Sequence, residues 1–187
     1  MSATCPELDQ PGRLNEIAEL GLDREQSRPW LSDLVEVVAV ELEAEIALAT
    51  ILLDRAQAFA AGHGLPGWLT EAGGTPIEWS FCTAMLGQRS ICVINDLTAD
   101  PAGQDNPLVT VAGVRAYIGA PLMSPRGYVL GGLCALGLRP RQFTTDQVVF
   151  LQNMAAEASR RIRDNAPANV AGTSAHDGKS RAGQACS

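Results

Sequence analysis

Hydrophobic positions change their period along this chain, and each change marks an element. Leu14, Ile17 and Leu20 recur at helical spacing within 11–20, and Gly21 suits the residue just past a helix end. Pro29 fits the first turn of a second helix running to about Leu42, with Leu31, Leu34, Val38 and Leu42 as its apolar stripe. Val35 and Val37 widen that stripe, so a second face of this helix has apolar surface to cover. The period then shortens. Ile46–Leu53 is a continuous apolar run with β-branched members, which predicts a strand buried on both faces. Asp54-Arg55 turns it into a second strand, Ala56–Ala61, closed by Gly62-His63-Gly64. Prolines and glycines at 66, 67, 73, 74 and 76 make 65–78 irregular. Trp79–Leu86 reads as a short helix stopped by Gly87, Ser90–Leu97 as a strand, Thr98–Asn106 as a loop, and Pro107–Gly113 as a small helix.

The densest signal lies in 115–143, RAYIGAPLMSPRGYVLGGLCALGLRPRQF. Two apolar runs, Ala116–Met123 and Tyr128–Leu136, flank Ser124-Pro125-Arg126-Gly127. Proline pre-sets φ for the second position of a β-turn, while serine suits the first and glycine the fourth. The segment therefore predicts a β-hairpin. Gly119, Gly131 and Gly132 interrupt its strands. Glycine weakens a strand, so it marks a bulge or the close approach of another backbone or a ligand. A final helix follows. Thr144 with Gln147 forms a capping box, Phe143 and Val148 a hydrophobic staple, and Val148, Leu151, Ala155, Ala158 and Ile162 repeat at helical spacing. The whole order predicts an α+β fold on a mostly antiparallel sheet.

Composition narrows the partners. With 187 residues, 46% of them hydrophobic, the chain has material for one domain plus extensions. A net charge of −7 argues against nucleic acid or an anionic membrane surface, both of which need a basic face. No apolar run approaches the roughly 18 residues of a membrane span. Pro6, Glu7 and Asp9 displace the basic and apolar regions of a secretory signal, so a cytoplasmic location is expected. The five cysteines, Cys5, Cys82, Cys92, Cys134 and Cys186, form no CxxC pair, and only His63 and His176 could join them, which disfavours zinc. Cys92 and Cys134 sit inside apolar runs and read as small buried hydrophobes, slow to react.

Four pieces, LLDRAQAFAAGHGLP, WSFCTAML, INDLTADPAGQDNP and GVRAYIGAPLMSPRGYVLGGLCALGLRPRQFT, resemble in order and spacing a GAF domain of the actinobacterial sensory type. The resemblance spans about Pro29 to Ile162. It implies a six-stranded antiparallel sheet with terminal helices on one face and a ligand pocket under short helices on the other. The domain organisation expected is an N-terminal extension with a short helix over 1–28, a GAF-like domain over 29–163 and a disordered tail over 164–187. No effector domain is expected beside the module, and its output is expected to travel by association, as a homodimer through the terminal helices or with a signalling partner.

That resemblance places Trp79, Phe81, Cys82, Arg115, Tyr117 and Gly131 around the pocket. The hairpin glycines would leave room there for an unidentified small molecule, and Arg115 could hold a carboxylate or phosphate in bidentate fashion. The plainer alternative pairs Arg115 with Asp96 and lets Trp79 and Tyr117 fill core. Cys82 and Cys92 raise a different chemistry, because free methionine-R-sulfoxide reductases are GAF-fold enzymes that use cysteines. Their pattern also asks for a cysteine and histidine in the loop at Thr98–Asn106, which has neither. Bilin attachment would want a Cys-His dipeptide and cyclic-nucleotide binding a lysine that the domain lacks. His63 as a haem ligand competes with a surface residue at a strand end. The expectation is a non-enzymatic sensor with no catalytic residue, no metal and no assigned cofactor.

Overall fold

The computed structural model describes residues 7–24 and 28–168. Six strands form one open sheet in the order β3-β2-β1-β6-β5-β4. They are β1 (Ile46–Leu52), β2 (Ala56–His63), β3 (Gly74–Pro76), β4 (Cys92–Ile94), β5 (Ala116–Met123) and β6 (Val129–Gly137). Every neighbouring pair is antiparallel. The α+β antiparallel architecture expected from the sequence is present.

Side chains alternate across this sheet, and the alternation divides the core into layers. Ala47 and Ala49 of β1, Ile118 and Ala120 of β5, and Leu133 and Ala135 of β6 face helices α2 (Pro29–Glu41) and α6 (Thr145–Asp164). Four of those six are alanine, which lets both helices lie close against the strands. The opposite face presents Ile46, Leu48, Tyr117, Cys134 and Leu136 to the short segments between β2 and β5. Val35 of α2 is fully buried, whereas Val40 on the same helix is 71% exposed. Val37 of α2 and Val149 of α6 are exposed as well.

Those short segments differ from the sequence-based expectation. The stretch 65–78 holds helix α3 (Gly67–Ala72) and the edge strand β3. Pro76 removes a ladder donor, which an edge strand tolerates because only β2 pairs with it. The expected helix Trp79–Leu86 is instead two 3₁₀ turns, Ile77–Trp79 and Phe81–Thr83, followed by α4 (Ala84–Gln88). Ser90–Leu97 contributes only three residues of strand, because Asp96 turns the chain by accepting from the Thr98 N–H and hydroxyl. Helix α5 (Pro107–Thr110) is capped by Asn106, whose side chain accepts from Leu108 N.

The hairpin turn closes as expected, with Gly127 N donating to Ser124 O at 3.0 Å and Gly127 at φ 85°. What clasps it was not legible beforehand. Helix α1 (Pro11–Glu19) lies beside the turn, and its Glu16, fully buried, accepts from the Ser124 hydroxyl at 2.7 Å and from Arg126 N at 3.0 Å. Arg13, equally buried, donates to Leu52 O at 2.6 Å and Leu8 O at 2.5 Å. Ile17 and Leu22 pack with Ile51, Leu130 and Ile162 in a third cluster. Ahead of α1, Glu7–Asp9 form a turn and Leu8 is buried. The expected disordered tail begins inside α6, which runs through Asp164, and most of it lies outside the described residues.

The capping box at Thr144 is complete, with Gln147 N donating to its hydroxyl and Gln147 Oε1 accepting from Thr144 N. Thr144→Ala should lower the unfolding free energy by about 0.5–2 kcal/mol, read as a shift in denaturation midpoint.

Candidate functional site

Beneath the short helices a cavity of about 20 Å³ remains. Its floor is β1, β2, β5 and β6; its roof comes from the second 3₁₀ turn, α5 and the region of α3. The lining is apolar except for a few groups: Gln57, Cys82, Tyr117 and Cys134. Such a volume holds about one water-sized molecule.

Local structure sets the position of each polar group. Ser80 caps the second 3₁₀ turn, its hydroxyl accepting from Cys82 N at 3.2 Å and donating to Gln57 Oε1 on β2. That cap aims Cys82 at the sheet. The Cys82 sulfur stands 3.1 Å from the Tyr117 hydroxyl and receives a 3.5 Å bond from Thr50 Oγ1. Thr50 is itself anchored on β6, accepting from Gly132 N and within reach of Gly132 O, both at 3.3 Å. Cys134, two residues along β6 on the same face, donates to Leu48 O at 3.5 Å and borders the same cavity as Cys82. Tyr117 and Phe81 pack as a tilted aromatic pair with centroids 5.4 Å apart.

Glycines make this arrangement possible, in a way opposite to the room expected of them. A Cβ on Gly119 would lie 2.1 Å from the Tyr117 hydroxyl, and one on Gly132 would lie 2.5 Å from Met85 Cε and 3.2 Å from the Cys82 sulfur. The space they vacate is filled by Tyr117, Met85 and Cys82. Gly131 faces away from the cavity, and its Cβ would meet the Thr50 carbonyl oxygen of β1 at 1.8 Å. It allows two backbones to approach, and a larger residue there would part the strands rather than fill a pocket.

Protonation divides the cluster. The bond from Cys134 lowers the Cys82 thiol from the ordinary cysteine range to about 7, with smaller help from Thr50, Tyr117 and Ser80, while burial opposes it. Cys134 moves the other way, well up, because its bond to Cys82 holds its proton and burial adds to that. Tyr117 is raised by burial first and then by the Cys82 charge. Cys82 is thus the group that ionises, with Cys134 and Tyr117 as donors. Cys92, half-buried on β4, is raised by burial, then by the charges of Cys82 and Asp100.

The six residues expected at a pocket divide accordingly. Phe81, Cys82 and Tyr117 line the cavity. Trp79 is half-buried at the margin of the same core cluster, its carbonyl accepting from Asn106 Nδ2. Arg115 is turned to α5, where its Nη1 donates to Val109 O at 2.7 Å and Val114 O at 2.9 Å. Asp96 is held by Thr98, whose two bonds lower its carboxyl more than the Arg115 charge does. His63 is exposed at the end of β2. Thr50, Ser80, Gln57, Gly132 and Cys134 escaped sequence reasoning as site residues. A signal for Cys134 existed: strand alternation puts it on the face of Gly132, Leu136 and the short helices. Thr50, a lone hydroxyl inside an apolar strand, was another.

Among the described residues no group of three or more His, Cys, Asp and Glu side chains is placed to hold a metal ion. No described helix is long and apolar enough to cross a membrane.

The GAF domain family model matches residues 31–162. The chain belongs to the GAF family. This GAF chain is 30% identical over 156 residues to a cyclic di-GMP phosphodiesterase of Pseudomonas aeruginosa, covering 82% of its own length. It spans only about a quarter, 26%, of that relative. Its fold is similar to a far-red cyanobacteriochrome photoreceptor (TM-score 0.63, 13% identity, 81% of this chain and 94% of the other). It is also similar to free methionine-R-sulfoxide reductase from Neisseria meningitidis (0.60, 18%, 88% and 95%). The GAF domain of an Acinetobacter phosphoenolpyruvate-protein phosphotransferase compares equally well (0.60, 15%, 81% and 92%). At these identities the structures speak for the fold, and family membership gives the GAF domain a sensory or regulatory role in general.

Proposed function

We propose that this GAF domain is a non-enzymatic sensory module that admits a small molecule beneath its short helices and signals through association, as a homodimer or with a signalling protein. The observation that carries the reading is the apolar cavity on which Cys82, Tyr117 and Cys134 converge, since apolar walls with a few convergent polar groups suit small ligands. Anything larger than a water-sized guest has to lift the roof. A three-residue 3₁₀ turn, the four-residue α5 and the six-residue α3 make that roof, and elements with so few internal bonds open at low free-energy cost. The exposed Val37 and Val40 on α2 and Val149 on α6 supply apolar surface for association. Likeness to part of a cyclic di-GMP phosphodiesterase supports a signalling enzyme as the partner. The three cysteines among the described residues are unpaired, which fits a reducing, cytoplasmic setting.

Two other readings have observations of their own. An interaction-only GAF scaffold without ligand is favoured by the small cavity volume. A thiol-dependent free methionine-R-sulfoxide reductase is favoured by the lowered Cys82 thiol and the fold likeness, but a free amino acid needs far more room than about 20 Å³.

Native mass spectrometry of freshly purified protein, followed by a thermal-shift screen of metabolites, separates these readings. A sensor gives a dimer mass and a stabilising metabolite, worth about 2.7 kcal/mol at a hundredfold excess over Kd. A dimer that no metabolite stabilises favours the scaffold. Turnover of free methionine sulfoxide that depends on Cys82 would replace both, and a monomer at high micromolar concentration would remove the homodimer.

A further inference from the structure

Cys82 and Cys134 border one cavity from elements far apart in sequence. Gly132 is the reason. With no side chain at 132, the Cys82 sulfur descends to within 3.2 Å of the place a Cβ would occupy, beside the Cys134 side chain that projects from the same face of β6. Both cysteines border the cavity, whose room is that of a guest little larger than water. Tyr117 and Thr50 place hydroxyls at 3.1 Å and 3.5 Å from the Cys82 sulfur. Cys92 lies on β4 and is not among the cavity residues.

We infer that Cys82 and Cys134 are an oxidisable dithiol, with hydrogen peroxide as the reactant that enters the cavity. The Cys82 thiolate attacks one peroxide oxygen, the O–O bond breaks, and the departing hydroxide leaves as water with the proton that the thiol released. Cys82 is then a sulfenic acid. The Cys134 sulfur attacks the Cys82 sulfur, the S–O bond breaks, and the hydroxyl leaves with the Cys134 proton as a second water. Two thiols lose two electrons and two protons, one peroxide is reduced to two waters, and one disulfide forms. The Tyr117 and Thr50 hydroxyls beside the Cys82 sulfur favour its thiolate, which gives Cys82 the attacking role and leaves Cys134 to resolve. The disulfide joins the second 3₁₀ turn to β6, so oxidation fastens the roof of the cavity to its floor. The inference shares its cavity with the sensory reading and depends on that reading only for the output.

The test treats the reduced full-length chain with hydrogen peroxide and maps its peptides without reduction. The expected product is a Cys82–Cys134 link with the mass of two hydrogens lost, reversed by a dithiol reductant. Cys134→Ser should leave Cys82 as a sulfenic acid that dimedone labels, and Cys82→Ser should give neither product. Alkylation of Cys82 in the native chain should show a midpoint near pH 7, moving to higher pH in Cys134→Ala. Native protein whose Cys82 and Cys134 stay reduced, while the urea-unfolded chain oxidises, would overturn the inference. A Cys82–Cys92 link in place of Cys82–Cys134 would overturn it equally. A metabolite that stabilises Cys134→Ser without any link in the parent chain would sink the dithiol and leave the sensor standing; a link in a chain that no metabolite stabilises would do the reverse.

Discussion

Glu16→Ala should lower the free energy of unfolding by about 2–5 kcal/mol, a large loss for an exposed-looking helix at the edge of the fold. Glu16 is fully buried, and its two oxygens accept from the Ser124 hydroxyl and from Arg126 N. Alanine would leave the buried Ser124 hydroxyl and the part-buried Arg126 N–H without this acceptor. Each unsatisfied group costs about 1–3 kcal/mol, and a charged acceptor lies toward the upper end. Glu16→Gln keeps an acceptor for one donor and should lose less. The measurement is urea denaturation at constant slope. A change below about 0.5 kcal/mol would mean that water replaces the carboxylate and that α1 is only lightly attached.

Gly131→Ala should be at least as damaging, by about 3 kcal/mol or more. A Cβ there would lie 1.8 Å from the Thr50 carbonyl oxygen and 2.9 Å from Ile51 Cα, both on the neighbouring central strand. No rotamer change relieves a clash with backbone, so β1 and β6 must separate. Gly132→Ala is the control, since its nearest atom is the end of the flexible Met85 side chain. It should cost less stability yet displace the Cys82 sulfur. If the two variants unfold at the same denaturant concentration, the close approach of β1 is not what position 131 requires.

The framework of the fold was legible because each of its elements carries a local period or cap. The capping box at Thr144, the Ser-Pro-Arg-Gly turn and the continuous run Ile46–Leu53 each specify structure within a few residues. β3 was not legible, since Gly74-Thr75-Pro76 carries no strand propensity and forms a strand only by pairing with β2. The 3₁₀ turns likewise depend on the Ser80 cap and its bond to Gln57, a partner 23 positions away. At the site, three of six expected residues line the cavity. Arg115 and Gly131 failed to do so for a shared reason: a residue type tells what a side chain can do, not which strand face it occupies. Arg115 found nearer carbonyls, and Gly131 sits one position out of phase with the cavity face. The clasp by Arg13 and Glu16 was hidden because a helix bearing charges at those positions reads as solvent-facing until its neighbour is known.

The order of strands has a consequence for how the chain reaches this state. β1–β2 and β5–β6 are hairpins whose partners are close in sequence, so each can form early. The ladder that unites them runs from Ile51 paired with Gly131 to Ile46 paired with Leu136, residues roughly eighty to ninety positions apart. Until β6 is complete, β1 presents one unpaired edge, and the alanines that receive α2 and α6 have no floor on which to assemble. A nascent chain therefore carries an open, apolar β1–β2 hairpin through most of its synthesis, and the rate of the final docking, not of either hairpin, sets how long that edge is exposed to aggregation.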